Sequence, residues 1–328
     1  MVSAAAVAAF LQRHGWSAAD RAPLPGDASA RRYERLVLGG RRALLMLTPQ
    51  DDTAADFIAI AGLLAGLKLS VPQILAAAPD QGLLLVEDFG DGTYTALLDG
   101  GAPMLPLYQL AMDALIHLHR GFAVKPGMAP ARNLPVFDAA RFLQQSMLFC
   151  ESFLPGAAGP VEGAVTEAFS QAWRIALGRA MAVPQSLLLR DFHAGNLFHL
   201  ADRPAVQACG LIDFQDAGIG PVTYDLVSLL QDARRDIPDE VTAACLAQYR
   251  AAFPDIDRAA FETSLAVMAA QRHVRVIAVF SRLAQQGKPG YMAHLPRSWR
   301  LLARALRHPA LAPLAAWLEA NVPRPARS

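Results

Sequence analysis

The sequence predicts an α+β fold in two parts, a small mixed N-terminal lobe and a large, mainly helical C-terminal lobe. The chain has 328 residues, more than one compact core usually needs. Up to about residue 90, helical patterns alternate with pairs of short apolar strands. After Gly92 the apolar residues recur mostly at helical spacing. We therefore expect lobes at residues 1–90 and 91–328.

Composition limits the classes of function. The chain is 53% hydrophobic and 18% charged, which favours a globular protein with a large core. Its formal net charge of +1 gives no basic field that would attract nucleic acid or an anionic membrane. No apolar run approaches the roughly 20 residues of a membrane span. Cys150, Cys209 and Cys245 are few and widely spaced, as in a reducing compartment. We expect a cytoplasmic protein that binds neither nucleic acid nor membrane.

The N-terminal lobe follows from its elements in order. The start, "MVSAAAVAAFLQRHGW", lacks a basic region before its apolar run, which indicates an amphipathic helix and not a signal peptide. Residues 31–47 read as two strands joined at Gly39-Gly40, a pair suited to a tight hairpin. Residues 53–67 have helical spacing, and "QILAAAPDQGLLLV" reads as a second hairpin. Helix, hairpin, helix and hairpin form a small α+β unit.

The C-terminal lobe is predicted to be helical, with a strand-rich insertion. Helical spacing covers residues 104–120, 137–153 and 161–181, and nearly all of the chain after Pro221. Between them lie short apolar strands at 186–189, at 197–200 and at "ACGLI". Polar residues are expected on hairpin loops between these strands.

Those polar residues have the chemistry of phosphoryl transfer. "LLLRDFHAGNLFHL" places Asp191 five residues before Asn196, and "GLIDFQDA" places Asp213 where the next strand ends. Asp191 can orient a hydroxyl and accept its proton, while Asn196 and Asp213 offer the hard oxygen ligands that Mg²⁺ prefers. A single Asp in a turn is usually structural. The joint pattern of strand, D-x4-N, strand and I-D-F is difficult to explain by turn chemistry alone.

These motifs resemble a known family. "LLLRDFHAGNLF" followed by "GLIDFQDAGIGPVTYDLVSLL" is similar to the aminoglycoside phosphotransferase and choline kinase group of protein-kinase-like small-molecule kinases. "VEDFGD" at 86–91 is placed like their link between lobes, and "DASARRYERL" like their first hairpin. "GDASARRY" and "QRHVRVIAVFSRLAQQGKPGY" are most similar to bacterial anomeric kinases of N-acetylmuramate and N-acetylglucosamine, which phosphorylate the sugar C1 hydroxyl in cell-wall recycling.

The resemblance implies a bilobal protein-kinase-like fold, ATP and Mg²⁺ as cofactors, and a small-molecule acceptor. Asp191 would be the catalytic base, and Asn196 and Asp213 the metal ligands. Asp225 would brace the catalytic loop and His193 would order it. The backbone at the link would meet the adenine edge of the nucleotide, through Glu87, Asp88 and Phe89.

One departure from the family concerns the ATP phosphates. The strand that should carry a phosphate-binding lysine reads "RRALLMLTP", and the residue at the lysine position is Met46. Residues 1–67 contain no lysine. Nearby candidates are Ser29, Arg31 and Arg32, because small turn residues expose backbone N–H groups and arginine pairs well with phosphate. Arg31 and Arg32 face opposite sides of an alternating strand, so at most one can point into a cleft. A second departure, Leu189 in place of a family histidine, is structural.

The acceptor side and the alternatives depend on charge. Residues 271–291 are basic, which suits an anionic or neutral sugar, and Arg272, His273 and Arg282 are the substrate-side candidates. A kinase for choline, ethanolamine, homoserine or an antibiotic is the alternative within the class. Met46 leaves open a non-catalytic nucleotide-binding regulator. A metal hydrolase would use Asp191, His193, His199 and Asp213, but histidines six residues apart would converge poorly.

Overall fold

A computed structural model describes residues 2–25, 31–49, 54–122, 124 and 134–327 of the chain. The polypeptide forms two compact units, and the chain passes from one to the other between His193 and Ala194. Unit 1 comprises Met1–Pro103 and Ala194–Asp216, and unit 2 comprises Met104–His193 and Ala217–Ser328. The α+β class is confirmed. The expected functional lobes, residues 1–90 and 91–328, stay a prediction. The two compact units have different boundaries.

Unit 1 is built on a five-stranded antiparallel sheet with strand order β1-β2-β3-β5-β4. Its strands are β1 (Asp20–Pro23), β2 (Arg32–Leu38), β3 (Arg41–Leu47), β4 (Ile74–Ala78) and β5 (Leu83–Val86). Its helices are α1 (Ala4–Arg13), α2 (Ala54–Gly66) and α3 (Tyr94–Asp99). The strand β1 was not expected from the sequence, because its four residues are all exposed and carry no apolar pattern.

Local chemistry explains these elements. Gly39 and Gly40 both have positive φ (54° and 79°), as the tight turn between β2 and β3 requires. The Ser3 side chain accepts a hydrogen bond from the Ala6 N–H and caps α1. One sheet face packs against α1 in a core that includes Phe10, Leu36 and Leu45. A two-stranded pair of β7 (Leu197–His199) and β8 (Cys209–Leu211) completes unit 1.

Unit 2 is mainly helical. Its first helices are α4 (Met104–Gly121), α5 (Ala139–Ser152), α6 (Leu154–Ala158) and α7 (Gly163–Ala180). After β6 (Gln185–Leu188) and β9 (Gly218–Pro221) come α8 (Thr223–Leu230), α9 (Asp239–Ala252), α10 (Arg258–Gln285), α11 (Leu295–Ala305) and α12 (Ala312–Asn321). Helix α10 has 28 residues, or about 42 Å at 1.5 Å per residue, and supplies much of the core. No described helix has the length and apolar character needed to cross a membrane.

The two apolar strands around the Asp191 loop do not pair with each other. Strand β6 pairs with β9, while β7 pairs with β8. The expectation of a hairpin loop at 189–196 was therefore wrong, because β6 finds its partner β9 across a longer stretch of sequence. The consecutive strands β7 and β8 do pair as a hairpin, with residues 200–208 as its loop. The loop from 189 to 196 connects two separate sheets and, with them, the two units.

We predict that Gly218→Ala destabilises unit 2. A Cβ at residue 218 would lie 2.3 Å from the Pro135 carbonyl oxygen and 2.6 Å from the Phe137 ring, so backbone must move. Overpacking of this kind lowers the free energy of unfolding by about 1–3 kcal/mol. Urea denaturation should show this loss as a lower unfolding midpoint than that of the wild type.

Gly178→Ala is the matched control, because residue 178 is exposed on α7 and its Cβ would meet nothing within 4 Å. Alanine should raise helix stability there by about 0.5–1 kcal/mol. Equal urea midpoints for the two variants would show that β9 tolerates a side chain at residue 218.

Candidate active site

The backbone just before Asp191 is clamped by a buried carboxylate. Asp225, in the first turn of α8, accepts hydrogen bonds from the N–H groups of Leu189 (2.6 Å) and Arg190 (2.9 Å). The Arg190 carbonyl accepts from the Ser228 hydroxyl and from Nη1 of Arg272, each at 3.0 Å. Three of these four bonds satisfy both backbone groups of Arg190, and together the four hold its φ at +71°. That conformation costs a non-glycine residue about 1–3 kcal/mol.

Asp225 is 1% exposed, and its pKa reflects opposing effects. Burial raises its pKa to about 7, against the two backbone N–H groups and the Arg272 charge, which lower it. An acidic group removed from water needs such donors to carry a charge. The geometry therefore agrees with the bracing role expected for Asp225, which stays a prediction.

Asp191 lies in a strongly positive field. Its Oδ1 is 3.6 Å from Nη1 of Arg272, and its side chain keeps 31% exposure. Burial by itself would raise the pKa of Asp191, but the charges of Arg275 and Arg272, with smaller effects of His193 and Arg190, lower it to about 2. Asp191 is therefore ionised at neutral pH. Nothing in the sequence distinguishes Arg275, because it is one of several arginines in a basic segment.

His193 packs into the same unit. It is 7% exposed, and its Nε2 lies 3.4 Å from Nη1 of Arg234. Burial lowers the pKa of His193, while nearby Asp232 and Asp191 act in the opposite direction. A buried histidine with these contacts is suited to ordering the loop, as the sequence analysis proposed.

The structure separates the three substrate-side candidates. Arg272 is largely buried, bound to the Arg190 carbonyl and directed at Asp191, so we reassign it to support of the base. His273 is fully buried, with Nε2 3.0 Å from Oε1 of Gln231, and burial lowers its pKa to about 3. A ligand has no access to it, and we do not retain it as a substrate contact. Arg282 is exposed near the end of α10.

In unit 1, the β7–β8 pairing brings the two expected metal ligands together. Leu197 pairs with Leu211, and the Ile212 N–H donates to the Asn196 carbonyl (3.1 Å). The Asn196 amide nitrogen lies 3.4 Å from Oδ2 of Asp213. An amide oxygen and a carboxylate fit Mg²⁺, which is usually held by one or two carboxylates and keeps places for water and phosphate. No three His, Cys, Asp or Glu side chains in the described ranges form a metal-binding cluster.

Asp213 itself is held in an unusual conformation. Its φ is +58°, and its Oδ1 accepts from Nε2 of Gln215 at 2.9 Å. The next residue, Phe214, is buried and stacks on Phe57 of α2 with 5.0 Å between ring centroids. The aromatic anchor on one side and the β8 pairing on the other fix the carboxylate between them.

The link segment 86–91 is braced by arginines of unit 1. Asp88, with a side chain 1% exposed, pairs with Arg35 at 2.7 Å and with Arg42 at 3.3 Å. Glu87 pairs with Arg203, whose guanidinium also lies 5.2 Å from the centre of the Phe89 ring. The side chains of Glu87, Asp88 and Phe89 are thus engaged within unit 1, which leaves the backbone as their expected contact with a nucleotide.

The residue at the expected lysine position and the three candidates for phosphate binding differ in burial and contacts. Met46 is buried in β3. Arg31 is mostly buried, and its Nη1 lies 3.6 Å from Oδ1 of Asp213, whereas Arg32 is exposed. Ser29 lies outside the described residues.

The sequence matches the phosphotransferase enzyme family over residues 20–261. It is 33% identical to an N-acetylmuramate/N-acetylglucosamine kinase of Caulobacter vibrioides, covering 97% of this chain and 96% of that protein. It is 34% identical to a protein of the same name from Pseudomonas aeruginosa, covering 96% and 93%.

Solved structures of low sequence identity share the fold. A choline/ethanolamine kinase family protein from Mesorhizobium loti has a TM-score of 0.62 at 15% identity, covering 96% of this chain and 97% of that one. The GDP complex of an aminoglycoside 2′-phosphotransferase has a TM-score of 0.61 at 15% identity, covering 91% and 97%. These likenesses confirm the protein-kinase-like fold class.

We predict that Asp225→Asn lowers kcat of phosphoryl transfer by about 10-fold or more with little change in KM for either substrate. An amide can accept only one of the two N–H bonds and turns its NH₂ toward the other donor, so the Asp191 loop loses its geometry. Asp239→Asn is the control, since Asp239 is exposed and pairs with the exposed Arg304. A parallel rise of KM with unchanged kcat would contradict the bracing role.

We predict that Arg272→Met raises the pKa of Asp191, because it removes a positive charge 3.6 Å from that carboxylate. Protonation of the base would then begin at higher pH, so the acidic limb of the turnover–pH profile moves upward. Arg258→Met should leave the profile as in the wild type, because Arg258 is exposed at the start of the same helix and pairs with Glu262. Superimposable acidic limbs for the Arg272→Met variant and the wild type would show that Arg272 does not tune Asp191.

Proposed function

The chain belongs to the phosphotransferase enzyme family, and from this premise we propose that it transfers the γ-phosphoryl group of ATP to the anomeric C1 hydroxyl of N-acetylmuramate or N-acetylglucosamine. The observation that carries the choice of acceptor is the nearly full-length similarity, at 33% and 34% identity, to two kinases that are named for these sugars. Two further proteins of that name are 32% identical over most of the chain.

The electrostatics of unit 2 support this choice of acceptor. The hydroxyl that reacts must approach Asp191, where Arg275 and Arg272 dominate the local charge. A positive field repels polycationic aminoglycosides and choline, while it accommodates a neutral N-acetyl sugar and attracts the lactyl carboxylate of N-acetylmuramate.

In the proposed reaction, Asp191 accepts a hydrogen bond from the C1 hydroxyl and orients its oxygen toward the γ-phosphorus. The new C1–O–P bond forms as the bond from the γ-phosphorus to the β,γ-bridging oxygen breaks, and ADP leaves. The hydroxyl proton passes to the Asp191 carboxylate and then to solvent. With a pKa of about 2, Asp191 is a weak base, so its main contribution is orientation, as is common in loose phosphoryl-transfer transition states.

The remaining residues support donor and base. Asn196 and Asp213 would hold Mg²⁺, which when bound neutralises phosphate oxygens. Asp225 and Arg272 keep the Asp191 loop in place, and the backbone of Glu87–Phe89 would meet the adenine edge. We place the reaction in the cytoplasm, because the enzyme draws on ATP and its three cysteines are free thiols.

The test is ADP release with Mg-ATP over a panel of acceptors: both N-acetylated sugars, their methyl glycosides, glucosamine, choline and kanamycin. Turnover should be confined to the free N-acetylated sugars, because a methyl glycoside has no C1 hydroxyl. Asp191→Asn should lower kcat by about 10³-fold, while Asp202→Asn, an exposed residue, should behave as the wild type.

Turnover of a methyl glycoside would exclude the C1 position, and turnover of choline or kanamycin would replace the acceptor. Nucleotide binding without turnover of any acceptor would favour the regulator alternative.

A further inference from the structure

We propose that Arg31 binds the phosphate groups of the nucleotide and so replaces the lysine that is absent at Met46. The inference rests on the proposed function, since it supposes that the protein binds ATP. It assigns to β2, and to an arginine, a contact that the resemblance would place on a lysine of β3.

The sheet register gives the face of Met46, and the alternation of β2 relates Arg31 to that face. Met46 pairs directly with Tyr33 of β2, and side chains of directly paired residues project from one face. Arg31 immediately precedes β2 and is two residues before Tyr33, so the alternation of the strand, continued by one residue, directs it to that face. The α1 core lies on the other face, where Leu36, Ala43 and Leu45 are buried. A guanidinium at residue 31 would therefore lie on the same sheet face as the side chain of residue 46, opposite the α1 core.

The contact of Arg31 fits the same role. Its Nη1 lies 3.6 Å from Oδ1 of Asp213, and its side chain is only 10% exposed. Asp213 is an expected metal ligand, and metal ions in phosphoryl transfer bridge nucleotide phosphate oxygens. A guanidinium beside that carboxylate is within reach of the same phosphates. Its planar fork also binds phosphate oxygens through two hydrogen bonds, where an ammonium acts as a point charge.

The other cations of unit 1 are engaged or placed elsewhere. Four arginines pair with carboxylates of the sheet edge or the link: Arg21 with Glu34, Arg35 and Arg42 with Asp88, and Arg203 with Glu87. Arg41 lies over the Trp16 ring at 4.8 Å. The other three, Arg13, Arg32 and Lys68, are exposed. In unit 1, Arg31 is the arginine whose described ion pair is with Asp213.

The proposal is tested by titrating the protein with a fluorescent ADP analogue (mant-ADP) in Mg²⁺, which reports binding independently of turnover. Arg31→Met and Arg31→Gln should each raise the Kd by about 10-fold or more, because both remove the charge. Arg31→Lys keeps the charge on a shorter side chain and should lose less. Arg32→Met is the matched control, an exposed neighbour expected to stay within about twofold of the wild type.

Thermal unfolding of each variant separates loss of the fold from loss of the contact, and two neutral variants keep the test open if one misfolds. Kd values for Arg31→Met and Arg31→Gln equal to that for Arg32→Met would overturn the role of Arg31 while the proposed function stands. A wild-type protein that binds no nucleotide in Mg²⁺ would overturn the proposed function, and the role of Arg31 with it.

Discussion

The loop that carries Asp191 depends on one buried carboxylate. Asp225 accepts hydrogen bonds from two consecutive backbone N–H groups immediately before Asp191, and the carbonyl of the second of these residues accepts from Ser228 and Arg272. This arrangement permits a left-handed arginine at residue 190, which sharply redirects the chain after β6. Because buried polar groups must be satisfied, the same bonds that stabilise Asp225 determine where Asp191 lies. The position of Asp191 thus follows from the hydrogen bonds that satisfy buried polar groups in unit 2.

Arginine side chains make most of the described ion pairs in this protein, whose sequence contains only three lysines. In unit 1, the carboxylates of the link segment are matched by guanidinium groups from β2, β3 and the 200–208 loop. In unit 2, arginines of α10 determine the charge state of Asp191. A guanidinium stays ionised when it is partly buried and offers several donors in one plane, so it can join a backbone carbonyl to a carboxylate. Arg272 does this between Arg190 and Asp191.

The absence of a lysine at residue 46 is therefore compatible with catalysis. A module that only bound nucleotide would need neither an aspartate on a clamped loop nor an Asn–Asp pair formed by a separate strand pairing. The positive charge near Asp191 also disfavours cationic acceptors. Charge matters here because phosphoryl transfer relies on positioning and charge compensation more than on covalent chemistry.

The sequence alone determined the fold class, most helices and strands, and the identity of Asp191, Asn196, Asp213 and Asp225 as the residues to examine. Hydrophobic periodicity and polar residues at strand ends are local patterns, so they can be recognised in the sequence itself. The sequence could not separate Arg31 from Arg32 or rank the arginines of α10, because burial and direction depend on register and packing.

Only the tertiary structure decided these points. It showed that β6 and β7 have different partners, that His273 is buried and that Arg272 lies 3.6 Å from Asp191. Long-range pairing and the desolvation of single charges are properties of the packed chain, so no local pattern records them.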